Sequence, residues 1–318
     1  MDSILIPVSV IIATRSRLTI LNRTIGSLLD QSRWPAEVII IDGSTEDHLQ
    51  EINRPEFSVK KINLIYRKAN VLGAASQRMQ GIALAQHNVF WFLDDDVLLD
   101  PECIRRLWVG LTWQENVGAV NAMIKNQRYT KPGFVTRSMY GLLHGKRLST
   151  YAGKVIGPAW NLLPEDEAGL PDYMTCEWLN TTCTLYKKEV LPDPVFPDFF
   201  FGYSLMEDVA LSIRVAKKHI LLNARTALIF HDSQPGDHKD RLINLSQMEL
   251  VNRHYVMTTI LGKNKMMAYV KLFIFELFGI LSGFRSWNGI KNIPLLIWGK
   301  VKGIRELISK RVDFVPQE

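Results

Sequence analysis

The sequence predicts an α/β protein with a doubly wound, mostly parallel sheet flanked by helices and a helical C-terminal extension. Short apolar runs rich in Val and Ile alternate with segments whose apolar residues recur at helical spacing. Three of these runs end in polar residues, while residues 263–318 are both apolar and basic. With 318 residues, 47% of them hydrophobic, the chain can bury a large core.

The first predicted elements are a strand, a helix and two further strands. Residues 8–13 form a run of Val and Ile that is typical of a strand buried on both faces. Apolar residues then recur every three or four positions over 18–29, which predicts an amphipathic helix. Similar apolar runs predict a second strand at 38–41 and a third at 62–66.

The alternation continues through the next 60 or so residues. Small and apolar residues predict a helix at 74–85, and the apolar run 89–93 predicts the fourth strand. A helix is expected after Pro101, followed by a fifth strand at 117–123. Residues 126–175 are rich in Gly, Pro and Lys with weak periodicity, which is typical of loops that shape a binding pocket.

Polar residues stand at the carboxyl ends of three predicted strands, the edge at which doubly wound sheets bind ligands. Three consecutive carboxylates repel one another unless a cation or several hydrogen-bond donors offset their charge. Their oxygens suit Mg²⁺ or Mn²⁺, which in turn suit a diphosphate, although an acidic turn exposed to solvent is the alternative. The residues concerned are Thr14, Arg15, Asp42, Asp94, Asp95 and Asp96.

A second pair of carboxylates precedes a run at helical spacing. Ser204 and Glu207 have the spacing of a capping box, in which Asp208 would only favour the helix dipole. In the functional interpretation, Asp208 is a general base at the helix start and Glu207 orients it. His231 follows another apolar run and is either a structural histidine or a nitrogen ligand for a transition metal.

The positive charge is concentrated at the C-terminus. Residues 263–318 contain ten basic and four acidic residues, which accounts for the net charge of +6 of the whole chain. Because the basic residues alternate with Phe, Leu, Ile and Trp, the pattern favours an anionic membrane surface over nucleic acid. An ordinary helical cap over the core is the alternative. Three cysteines without zinc-site spacing, and no signal peptide, indicate a cytoplasmic compartment.

Five motifs in order along the chain resemble those of family-two inverting glycosyltransferases with the GT-A fold, of the rhamnosyl- and galactosyltransferase type. They are VSVIIATRSR at 8–17, VIIIDGS at 38–44, NVLG at 70–73 with Arg78 and Gly81, FLDDD at 92–96, and MEDV at 206–209. The resemblance covers about residues 5–235.

The resemblance implies a role for each site residue. Thr14 and Arg15 would line the nucleotide pocket, and Asp42 would bind uracil or thymine. Arg78, Asp94 and Asp95 would lie near the ribose and the diphosphate. Asp96 and His231 would bind Mn²⁺ or Mg²⁺, and Asp208, beside Glu207, would be the catalytic base. Arg15 stands where the family often has an aromatic residue, which leaves the identity of the base open.

The implied function is transfer of a sugar, with inversion, from a UDP- or dTDP-sugar to a hydroxyl of a glycan or lipid-linked acceptor in polysaccharide biosynthesis. The alternatives are a polyprenyl-phosphate sugar transferase and an inactive nucleotide-sugar-binding subunit. Residues 1–240 would form the transferase domain, with a nucleotide-binding half at 1–125 and an acceptor and catalytic half at 126–240. Residues 241–318 would be the extension, placed peripherally on the cytoplasmic face of a membrane or packed as a cap.

Overall fold

Nine strands form one sheet in the computed structural model of the protein, which describes residues 5–200, 202, 204–233 and 242–313. Strands β7 and β8 form a separate two-stranded ribbon. The strands are β1 Leu5–Thr14, β2 Trp34–Asp42, β3 Asn63–Lys68, β4 Val89–Leu93, β5 Val97–Leu99, β6 Val117–Ile124, β7 Val155–Ile156, β8 Trp160–Asn161, β9 Tyr173–Cys176, β10 Cys183–Lys187 and β11 Ile220–His231.

Ten α-helices accompany these strands within the described residues. They are α1 Leu18–Leu29, α2 Leu49–Ile52, α3 Pro55–Val59, α4 Ala74–Leu84, α5 Cys103–Thr112, α6 Phe134–His144, α7 Glu207–Ala216, α8 Leu242–Tyr255, α9 Met266–Ser282 and α10 Trp287–Asp313. The predicted bounds of β4 match those of the structure, and α1 spans the residues whose helical spacing predicted it. The α/β fold class with a C-terminal helical part is confirmed.

The strand order is β3-β2-β1-β4-β10-β6-β11-β5. On the same edge of β11, β9 pairs with its N-terminal part and β5 with its C-terminal part. Six of the nine strands run in one direction, because β10 lies antiparallel between β4 and β6, and β5 and β9 are antiparallel to β11. The sheet is therefore mostly parallel, as predicted, with an inserted antiparallel strand.

The first strand is buried on both faces, which explains its continuous apolar sequence. Val10 and Ile12 lie in the main core cluster with Leu21 and Ile25 of α1. Ile11 points to the opposite face, where α4 packs so closely that a Cβ on Gly81 would lie 2.4 Å from Ile11 Cγ2. Helices therefore cover both sides of the sheet at β1.

The sheet has a topological switch at β1, which pairs with β2 on one side and with β4 on the other. At such a point the connections leave the carboxyl ends of neighbouring strands in opposite directions, and a crevice opens between them. Thr14 ends β1, and Asp94 directly follows β4. The polar residues predicted to gather at this edge therefore border the crevice.

The chain divides into two units. The first contains Met1–Lys131, Ala152–Lys154 and Asn161–Gln234, and holds the sheet; the second contains Pro132–Tyr151, Val155–Trp160 and Pro235–Glu318, and is mostly helical. In the second unit a network of ion pairs joins α8, α9 and α10. Lys300 Nζ lies 2.9 Å from Glu249 Oε2 and 2.7 Å from Glu276 Oε2.

The contact between α4 and β1 yields a stability prediction. The G81A substitution should lower the free energy of unfolding by about 1–3 kcal/mol, since the new methyl group overpacks the stiff side chain of Ile11. G26A in α1 is the matched control, because a Cβ there meets only Arg54 Nη1, at 3.6 Å. Urea denaturation measures both; equal stability of the two variants would contradict this packing.

Candidate active site

The three consecutive aspartates occupy the turn between β4 and β5. The Asp94 amide donates to the carbonyl oxygen of Thr182, at 2.9 Å. The Thr24 hydroxyl donates to the Asp95 carbonyl at 2.7 Å and accepts the Val97 amide at 3.1 Å. These main-chain hydrogen bonds fix the turn without involving the three carboxylates. The carboxylates are therefore available to contact other groups.

Asp95 and Asp96 share one cation. Arg17 Nη1 lies 3.2 Å from Asp95 Oδ1 and 3.3 Å from Asp96 Oδ2. Asp95 also accepts a hydrogen bond from the Thr14 hydroxyl at 2.6 Å, so it is turned towards β1. Burial raises the pKa of Asp95 to about 6, helped by the charges of Asp96 and Asp94, while the Thr14 hydrogen bond and Arg17 oppose the rise.

Two of the aspartates and His231 form a group that can hold a metal ion. His231 Nε2 lies 3.0 Å from Asp96 Oδ1, and its Nδ1 lies 3.1 Å from the Gln127 side-chain nitrogen. One potential ligand atom each from Asp94, Asp96 and His231 lie within 4.8 Å of one another. Two carboxylate oxygens and one imidazole nitrogen are a donor set that fits Mn²⁺, and Mg²⁺ less closely.

Arg78 joins the two carboxylate sites. Its buried guanidinium donates to Asp94 Oδ1 at 2.6 Å and to Glu207 Oε1 at 2.9 Å. Burial, together with the charge of Asp208, raises the pKa of Glu207 to about 8, and Arg78 opposes that rise. The residue pair at the start of α7 therefore lies beside the aspartate turn, although more than 100 residues separate the two in sequence.

Asp208 is half-buried next to Glu207. Burial raises the pKa of its carboxyl group to about 6; the Val209 amide and Arg78 lower it, while the charge of Asp94 adds to the rise. The capping-box interpretation of this segment is wrong. Helix α7 begins after Met206 without a side-chain cap. The Ser204 hydroxyl instead accepts a hydrogen bond from the Ala75 amide, at 3.3 Å.

Asp42 lies at the carboxyl end of β2, but its carboxylate is 1% exposed and already hydrogen-bonded. Oδ1 accepts the Ser44 amide at 2.8 Å and the Ser44 hydroxyl, and Oδ2 accepts the Tyr66 hydroxyl at 2.8 Å. Burial and Asp42 raise the pKa of Tyr66 to about 12. Arg15, in contrast, is exposed and forms no ion pair within the described part of the chain.

Two buried or half-buried residues of the site, Arg17 and Gln77, were not predicted from the sequence. Arg17 precedes α1, and the one sequence signal for its role is that it follows Thr14, the last residue of β1, by three positions. Gln77 is buried on α4 and donates to the carbonyl oxygens of Thr14 and Ile41 at 2.9 and 2.7 Å. It therefore fastens the carboxyl ends of β1 and β2 together, and no local sequence pattern indicates such a role.

Comparison with known proteins identifies the family. The family described as Glycosyl transferase family 2 matches residues 9–191, which is more than half of the chain. The chain is a family 2 glycosyltransferase. The matched range contains the aspartate turn and Arg78, but it ends before Asp208 and His231.

Individual relatives of this glycosyltransferase are distant. The hyaluronan synthase of Pasteurella multocida is 31% identical over 102 residues, and the match spans 32% of this chain but only 10% of that protein. The mannosyltransferase PcManGT from Pyrobaculum calidifontis, solved with GDP-Man and Mn²⁺, matches with a TM-score of 0.55 at 12% identity. That match covers 94% of this chain and 87% of the PcManGT chain.

GalNAc-T7, solved with UDP, GalNAc and Mn²⁺, has a TM-score of 0.52 at 15% identity. That match covers 77% of the glycosyltransferase described here and 48% of GalNAc-T7. At such identities the two structural matches concern the fold alone, and they confirm the predicted GT-A fold.

The bridge formed by Arg78 can be tested by unfolding. R78M should lower the free energy of unfolding by about 3 kcal/mol, because it leaves the buried Glu207 carboxyl without its hydrogen-bond donor and the Asp94 carboxylate without its cation. R105M, which removes an exposed ion pair with Glu102, should cost less than about 1 kcal/mol. In urea denaturation the double variant R78M/E207Q should regain more than half of the loss; no recovery would mean that Arg78 acts through other contacts.

Proposed function

We propose that the protein transfers a sugar, with inversion at the anomeric carbon, from a nucleoside-diphosphate sugar to an acceptor hydroxyl. One observation carries the proposal: the guanidinium of Arg78 bridges Asp94 and Glu207, so that the carboxylates after β4 and those at the start of α7 belong to one site. Direct displacement requires the bound sugar donor and the general base to lie in the same site.

The donor would bind at the switch of the sheet, in the crevice at the carboxyl ends of β1 and β4. Thr14, Arg15 and Asp42 would contact the nucleoside, and Arg78, Asp94 and Asp95 would lie near the ribose and the diphosphate. The exposed side chain of Arg15 and its position at the end of β1 support a contact with the nucleotide. We propose UDP or dTDP as the nucleotide; the UDP in the GalNAc-T7 structure supports the former.

Asp96 and His231, with Asp94 beside them, would hold a divalent cation. The spacing of their ligand atoms supports this assignment, as does the Mn²⁺ in the structures of GalNAc-T7 and PcManGT. When bound, such a cation stabilises the negative charge that develops on the departing diphosphate. Arg17 and Arg78 keep the acidic side chains in position through the ion pairs described above.

Asp208 would act as the general base. Its carboxylate would take the proton of the acceptor hydroxyl while that oxygen forms a bond to the anomeric carbon from the face opposite the leaving group. The bond between the anomeric carbon and the phosphate oxygen breaks at the same time, and the nucleoside diphosphate leaves with the electron pair. Glu207, held by Arg78, would orient Asp208 at the start of α7.

We propose a glycan or a lipid-linked saccharide as the acceptor, which the enzyme would reach from the cytoplasmic side of a membrane. The aspartate turn and Asp208 both belong to the first unit, and we propose that residues 1–125 supply the donor half and residues 126–240 the acceptor half of one transferase domain.

Asp208→Asn should reduce turnover at least about a hundredfold while donor binding stays within about twofold, since Asn cannot accept the proton. Turnover of the unsubstituted enzyme should be full above about pH 7 and fall as the pH drops through about 6, because protonation of Asp208 removes the base and its pKa is raised to about 6. Release of nucleoside diphosphate from a UDP-sugar, measured with an acceptor glycan, gives both results.

The control for this substitution is Asp30→Asn, a change of the same chemistry at an exposed position at the end of α1. It should leave turnover and its pH dependence unchanged. Undiminished turnover of D208N would remove Asp208 from the proposed reaction, even if the metal site proved correct.

His231→Ala should weaken Mn²⁺ binding at least about tenfold, because it removes the nitrogen ligand from the proposed set. Isothermal titration of the protein with MnCl₂ measures this without any turnover. His87→Ala is the control, since the side chain of His87 lies outside the group of Asp94, Asp96 and His231. Equal Mn²⁺ affinity of H231A and the unsubstituted protein would exclude His231 as a ligand.

A further inference from the structure

Helix α9 places its charged residues on the side that faces the rest of the second unit. Lys271 Nζ donates to the Leu143 carbonyl at 2.8 Å, and Glu276 Oε2 lies 2.7 Å from Lys300 Nζ. Leu272 and Phe275 are buried on the same side, and the Phe275 ring contacts Trp160 at a centroid distance of 4.9 Å. The two charges that interrupt the apolar sequence are therefore held by protein groups.

The opposite side of α9 is an exposed stripe without charge. Its residues recur every three or four positions, which places them along one line of the helix over about 27 Å. They are exposed by 42–79%: Met266, Val270, Phe273, Leu277, Leu281 and, in the turn that follows, Phe284. We refer to these six residues as the α9 stripe.

Helix α10 continues this pattern with tryptophans and basic residues. Trp287 is 70% exposed and Trp298 45% exposed. Lys291 Nζ lies 5.8 Å from the centre of the Trp287 ring, and the Arg305 guanidinium lies 5.7 Å from that of Trp298. An exposed indole ring paired with a long basic side chain is typical of the boundary between lipid tails and headgroups.

The charge of the second unit is strongly positive. Its described residues include fourteen Lys and Arg and only four Asp and Glu. Three of the acidic side chains are engaged within the unit, since Glu249 and Glu276 pair with Lys300, and Glu306 accepts a hydrogen bond from Gln247 at 2.9 Å. The net field at the surface of α9 and α10 is therefore positive, which complements an anionic partner.

We infer that the second unit binds an anionic phospholipid bilayer, with the α9 stripe inserted among the acyl chains and Lys291 and Arg305 at the headgroups. The helix lies in the interface rather than crossing the bilayer. Met266–Arg285 is long and apolar enough for a membrane span by length and composition. However, a span would bring Lys271 and Glu276 into the hydrocarbon and separate them from Leu143 and Lys300.

A second copy of the chain fits this surface less well than a bilayer does. Pairing α9 and α10 with the same helices of another molecule would bring two positively charged surfaces together. Three acidic residues that could offset that repulsion, Glu249, Glu276 and Glu306, already pair within each unit. Phosphate headgroups supply the opposite charge directly, and acyl chains cover the stripe.

Cosedimentation of the full-length protein with phospholipid vesicles tests the inference, and needs no transferase activity. In about 0.1 M salt, the protein should bind vesicles of equal parts phosphatidylglycerol and phosphatidylcholine about tenfold more tightly than pure phosphatidylcholine. F273Q/L277Q should weaken binding to both vesicle types about tenfold, because the stripe supplies the apolar contact. K291Q/R305Q should weaken binding to the anionic vesicles alone.

Matched controls change exposed apolar and basic residues in the first unit. V59Q/V109Q removes two exposed apolar side chains, and K217Q/K218Q removes two exposed lysines. Both should bind vesicles as the unsubstituted protein does. All substituted side chains are exposed, so the melting temperatures should stay unchanged and report that each variant is folded.

Three results would overturn the inference. The first is an unsubstituted protein that binds neither vesicle type, and the second is a set of α9 and α10 variants that bind like the controls. The third is a dimer in analytical ultracentrifugation that F273Q/L277Q converts to monomer without any vesicle binding, which would identify a second copy as the occupant. None of these results depends on the roles of Asp208 or His231, so the proposed reaction would stand or fall separately.

Discussion

The site depends on keeping five carboxyl groups together in a partly buried place. Asp94, Asp95, Asp96, Glu207 and Asp208 would repel one another as anions, and burial adds a cost to each charge. Two guanidinium groups offset this: Arg17 lies between Asp95 and Asp96, and Arg78 lies between Asp94 and Glu207. The raised pKa values of Asp95, Glu207 and Asp208 indicate that the compensation is incomplete.

The fold supplies the rigidity that such a cluster needs. Strand β4 is fully buried and lies between β1 and β10, so the aspartate turn begins from an anchored position. The turn is then held by main-chain contacts to Thr24 and Thr182, which come from α1 and from the segment before β10. Residues from distant parts of the sequence thus fix the aspartates before any ligand binds.

Sequence patterns were sufficient to predict a strand or helix wherever the environment of the segment is uniform along its length. Strand β4 was predicted to the residue because it is buried throughout, and helix α1 was predicted from the apolar residues that recur along one side of it. The antiparallel strand β10 was not predicted, since five residues with one lysine have no distinctive periodicity. The contacts of Arg78 and Gln77 could not be predicted from the sequence, because they join segments that are far apart in it. Hydrogen bonds between such segments leave no local sequence pattern.

Gln77 has a further consequence for ligand recognition. Its amide ties the ends of β1 and β2, while the Gly43 amide donates to the Thr14 carbonyl and the Ser16 amide donates to the Ser44 hydroxyl. These cross-links already restrict the loops that follow both strands. A molecule that docks on this edge meets preorganised backbone, so little conformational entropy is lost there and more of the contact energy remains as affinity.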